Sequence, residues 1–188
     1  MTSMPSLPDL WLPVAAATAA VFVASSMLHM VVPIHKGDYR KLPDEDAALA
    51  ALRQHGVGPG QYMFPCPSSM QEMASPAMQE RYRLGPVGTL IVRPNGVPAI
   101  GVALLQWAAF CLVANALVAI VVGCACAPGS SDVFDVATTV ALLPYAFSSV
   151  SDSIWKGVSW TTTVKFVFDG VVYAHAAGAM FAWLWPAA

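Results

Sequence analysis

Residues 98–124 read PAIGVALLQWAAFCLVANALVAIVVGC and contain no Asp, Glu, Lys or Arg; the uncharged run extends on either side, from Asn95 to Ser131. A soluble helix needs a polar face. This stretch has only Gln106 and Asn115 to offer, whereas about 20 apolar helical residues cross a hydrocarbon layer of about 30 Å. A second run has the same character, since between Thr2 and Ile34 the only ionised side chain at neutral pH is Asp9. Its length exceeds a signal-peptide core, and Met1 to Asp9 lacks the basic residues that signal peptides carry, so residues 10–32 read as a retained span with Pro13 tolerated in its first turn.

Working outward, residues 136–153 and 165–185 complete a set of four apolar stretches, the third interrupted by Pro144 and closed near Asp152. In lipid every backbone amide must be paired internally, and continuous rather than alternating apolar runs choose helices over a barrel. The whole chain agrees: 57% of its 188 residues are hydrophobic, 11% are charged, and the mean hydropathy is +0.60. The expected fold is therefore all-α and integral to a membrane, with four transmembrane helices at about 10–32, 98–124, 136–153 and 165–185.

Charge placement predicts orientation. All nine Lys and Arg residues fall in the link between spans one and two or around the link between spans three and four, while the other side carries Asp9, Asp132 and Asp135. Basic residues favour the cytoplasmic side, so both termini are expected outside the cytoplasm, with a bacterial inner membrane as the expected location. Trp11, Trp183 and Trp185 mark the outer interface, and Trp155 and Trp160 the inner one.

Residues 34–97 hold most of the charge and carry helix signals, and a compact cytoplasmic cap of two or three short helices is predicted. Asp44 precedes Glu45 and Asp46 as a cap, and Gly56 follows as a stop; Ser69 with Glu72 makes a capping box; Ser75-Pro76 opens a helix that stops near Gly85. Thr89–Val92 reads as a short extended stretch before Pro94-Asn95-Gly96.

Function is less legible. Lys165 and Asp169 are one helical turn apart in span four, and His29 is expected at a similar depth near the end of span one, with Tyr173 a turn deeper than Asp169. Ionisable groups at depth are costly unless paired, so His29, Lys165, Asp169 and Tyr173 form a candidate proton or ion site; the bland alternative is an ion pair fixing helix register while Lys165 reaches for the headgroups. Gly170, Ala174, Gly178 and Ala182 form a stripe of small residues, expected to let another helix approach, from this chain or a second copy. His29 and His175 as axial ligands of a haem would differ in depth by nearly two turns.

Two other chemistries have residues in the sequence to support them. Cys124 and Cys126 suggest thiol redox at the outer face, although C-x-C departs from the usual C-x-x-C, and Cys66 and Cys111 lie elsewhere. Met63, Cys66, Met70 and Met73, with Met78, His35, Asp38 and His55 nearby, suggest a soft-metal site suited to copper, or else methionines packing short amphipathic helices. No nucleotide loop, nucleophile elbow or zinc-protease motif occurs, and the net charge of −2 disfavours nucleic acid. The reading that follows is a small, non-enzymatic membrane protein: a proton- or ion-linked transport unit or an accessory subunit of a larger complex, in contact with lipid and self-associating or docked to a partner. The alternative is a thiol-redox or copper-handling protein. The residues name no cofactor.

Overall fold

The computed structural model describes residues 7–187, which divide into two compact units, residues 7–38, 99–153 and 158–187 on the one hand and 39–98 with 154–157 on the other. Four helical stretches are long and apolar enough to cross a membrane, Pro8–Val31, Ile100–Ala125, Val133–Lys156 and Trp160–Leu184, all of them in the first unit but for the last three residues of the third. Helix α1 (Trp11–Ser26) runs on into a π-helical turn at Met27–Val31. Its hydroxyls are satisfied within the helix, Thr18 donating to the Val14 carbonyl and Ser26 to that of Phe22. Polar side chains in an apolar setting need such local acceptors.

In the second unit, α2 (Glu45–Gln54) is capped by the Asp44 carboxylate, which accepts from the Ala47 amide. Helix α3 (Met70–Met73) is capped by Ser69, and Glu72 reaches back to the amide of Ser68 rather than of Ser69 itself. Helix α4 (Pro76–Leu84) is capped by Ser75 and stops at Gly85, whose φ of 61° suits a residue without a Cβ. The extended stretch at Thr89–Val92 is real but has a partner that sequence reading did not find: strand β1 (Gly60–Phe64) pairs antiparallel with β2 (Gly88–Val92), from Gly60 opposite Val92 to Phe64 opposite Gly88. The unit is thus mixed, not purely helical. Strand β1 is five residues of weak alternation, and its identity depends on a mate distant in sequence.

The remaining spans are α5 (Ile100–Ala125), the pair α6 (Val133–Tyr145) and α7 (Val150–Lys156), and α8 (Trp160–Leu184). Pro144 has no N–H to give to the preceding turn, and the third span breaks there, passing through a 3-10 turn at Phe147–Ser149 before α7. It is longer at both ends than expected. Helix α8 begins at Trp160 rather than near Lys165, so Lys165 and Asp169 both lie inside the helix. In the bundle α8 packs against α6 and α1, and α5 packs against α1 and α6, closing a ring of four.

The contact between α6 and α8 explains the small residues. A Cβ at Gly170 would overlap the backbone carbonyl of Tyr145, and one at Gly178 would overlap the Thr138 hydroxyl. Ala174 is fully buried, and so are Ala177 and Phe181. Ala182, by contrast, is exposed. Four-residue steps advance about 400° round a helix, so the stripe drifts by about 40° at each step and has left the interface by its fourth member.

The periphery of the bundle is apolar, unlike that of a water-soluble one. Leu105 and Leu143 are 71% and 64% exposed on the periphery, while Asn115, Thr138, Thr163 and Asp169 are buried within. An apolar surface on this scale calls for an apolar solvent or partner.

Candidate functional site

One side-chain cluster joins the end of the first span to the start of α8. The local chain path makes it. His29 lies in the π-helical turn, and Pro33 then holds the preceding Val32 in extended conformation, with φ −82° and ψ 125°. The helix therefore stops, and a single 3-10 turn at Pro33–His35 folds the chain back on itself. His35 comes to rest on His29, the two rings stacked 10° from parallel with centroids 4.4 Å apart, and Phe166 of α8 lies against both.

Asp169 is the centre. It is 1% exposed, and its Oδ2 lies 2.8 Å from Nε2 of His35 and 3.8 Å from Nε2 of His29. Its Oδ1 is buried without a hydrogen-bond partner. Each imidazole is anchored at its other nitrogen. His35 Nδ1 is 2.6 Å from Asp38 Oδ2, and His29 Nδ1 is within 3.2 Å of the Ser25 carbonyl and 3.3 Å of the Tyr173 hydroxyl. Lys165 Nζ donates to Asp38 Oδ1 at 2.6 Å. The hydrogen bond from Lys165 foremost, helped by His35 and opposed by burial, holds the Asp38 carboxyl below its usual range.

The geometry imposes a condition on the occupant of the gap. Asp38 is an ionised carboxylate and accepts only, so His35 Nδ1 carries a proton and donates it. In the neutral ring Nε2 is then a lone pair pointing at a carboxylate oxygen 2.8 Å away. Two acceptors do not stay at that distance unaided. A proton, on Nε2 or on the Asp169 carboxyl, or a metal ion lies between them.

Of the residues picked out from sequence, His29, Asp169 and Tyr173 are brought together. Lys165 is in the same cluster but bonds to Asp38 rather than to Asp169 a turn away. His35 and Asp38 complete the site and were grouped by sequence with the methionine-rich segment instead. The signal was available: Pro33 after the first span predicts an early chain reversal, which returns His35 to the helix end.

The other candidates are not members of this cluster. His175 is exposed and bonds to the Val171 carbonyl of its own helix, so it does not face His29 across a haem. All four cysteines are free; Cys124 is exposed and Cys126 buried, and burial with the nearby charge of Asp132 raises the Cys126 thiol above its ordinary pKa. That is the reverse of what an attacking thiolate needs. In the second unit Met63 lies on β1 and Met70 and Met73 on α3, Met63, Met70 and Cys66 exposed, while Met78 is buried. No protein-family model, curated protein or solved structure matches this chain.

Proposed function

We propose that the chain is a multi-pass membrane protein that acts as a small proton- or ion-linked unit, alone or within a larger membrane complex, with the Asp169 cluster as its cation site. One observation carries this. A carboxylate is buried among apolar helices with one oxygen aimed at two imidazole nitrogens and the other unpartnered. An ionised group so placed is costly, and a pairing made only for packing would not leave one of its oxygens unused. His29 is 41% exposed, against 12% for His35, which leaves the cluster a way out on the side of the first span. The basic residues at this end of the bundle support its placement on the cytoplasmic side.

Purified protein in liposomes loaded with a pH-sensitive dye, under an imposed potential, tests the reading. Wild type is expected to move protons or a co-supplied cation, and Asp169→Asn to abolish the movement while eluting as wild type in detergent. Equal flux from the two proteins rules the reading out.

A further inference from the structure

We propose that His29, His35 and Asp169 form a binding site for one divalent transition-metal ion of the zinc class, a step that rests on reading the Asp169 cluster as a cation site and names its ligand. One ring nitrogen of each imidazole and an oxygen of the Asp169 carboxylate lie within 4.8 Å of one another. Ligand bonds to zinc are about 2.0–2.2 Å, so neighbouring ligand atoms of a tetrahedral ion stand about 3.3–3.5 Å apart. The observed 2.8 Å and 3.8 Å to Asp169 Oδ2 bracket that spacing. Seating an ion requires the two imidazoles, stacked 10° from parallel, to turn so that both Nε2 lone pairs converge on it.

The surroundings are those of a ligand set rather than of chance neighbours. A histidine that binds metal through Nε2 donates its Nδ1 proton to a carboxylate or carbonyl, which fixes the tautomer and makes the ring a better donor. Both rings comply, His35 on Asp38 and His29 on the Ser25 carbonyl. Lys165 in turn holds Asp38. The orphaned Oδ1 of Asp169, buried with no partner, is the independent sign that something is to be bound: it can close on the same ion or accept from its water. Two imidazoles and a carboxylate suit Zn²⁺ and its neighbours and are too nitrogen-rich for Mg²⁺ or Ca²⁺. Three protein ligands leave a fourth position, on the exposed His29 side, for water or an incoming group.

The test uses full-length, tag-free protein in detergent, stripped of metal and dialysed against Zn²⁺, with Co²⁺ as a spectroscopic probe. Wild type is expected to hold one ion per chain and to give the intense visible bands of tetrahedral Co²⁺. His35→Ala and Asp169→Asn should weaken binding about 100-fold or more, and Asp38→Asn, which only orients His35, about 10–100-fold. His55→Ala and His175→Ala, which change the remaining histidines, should bind as wild type. Wild type that takes up no stoichiometric Zn²⁺, gives no tetrahedral Co²⁺ bands, or loses nothing in His35→Ala overturns the proposal; the wild-type spectrum decides even where a variant does not fold. Zinc bound here with flux indifferent to Asp169→Asn upholds the metal site and removes the transport reading. Flux that depends on Asp169 with no zinc bound does the opposite.

Discussion

The two sides of α8 are built on opposite terms. Toward α6 it presents Gly170, Ala174 and Gly178, and the helices meet with backbone and small side chains in contact. Toward the first span it presents Asp169 and Tyr173, and the contact is made by long polar side chains, with an unpartnered oxygen and an exposed imidazole. Asp169 and Gly170 are consecutive, about 100° apart round the helix. In an apolar medium, where burial of apolar surface supplies no drive between helices, close approach on one side provides the dispersion contacts. The other side is then free to hold groups that are not optimised for close packing.

That contrast can be broken. The largest effect is expected from Gly170→Ala: the added methyl meets the Tyr145 carbonyl and the Ala146 backbone, which cannot swing aside, so destabilisation of about 3 kcal/mol or failure to fold should appear in thermal unfolding in detergent. Gly178→Ala meets mainly the Thr138 hydroxyl, a side chain, and should cost about 1–2 kcal/mol. Adding Thr138→Ala removes the obstacle and should recover most of that loss; a double variant no better than the single would show that the two helices are not held by this contact.

On the opposite side the pattern should invert. Tyr173→Phe removes a hydroxyl that touches His29 and should cost about 1 kcal/mol or less in stability, while weakening cation binding measurably in the same dialysis. If it weakens folding more than binding, Tyr173 belongs to the packing side of the comparison. The smallest effect is expected from Cys124→Ser, within about 0.5 kcal/mol and with flux unchanged, because the side chain is exposed and free.

Within the site, His29, Asp169 and Tyr173 were readable because depth along a span follows from counting residues. The partner of Lys165 was not. A four-residue spacing makes Asp169 a natural mate, yet Asp38, 127 positions away in sequence, lies in reach because the chain reverses at Pro33. Ala182 was misplaced for a related reason, since a four-residue repeat only approximates the helical period. Strand β1 escaped because its ladder partner starts 24 residues after β1 ends, and a five-residue strand has too little pattern of its own.

By itself the sequence determined the number and approximate position of the apolar stretches and the caps of the short helices. Each of these depends on transfer free energy or hydrogen bonding summed over neighbouring residues, and so on local composition alone. Only the tertiary structure decided which faces of α1, α6 and α8 meet, that His35 and Asp38 return to the helix end, and that Asp169 keeps one oxygen unpaired. Those outcomes turn on the rotation of each helix about its axis and on one reversal of the chain, which are settled by contacts between residues far apart in sequence.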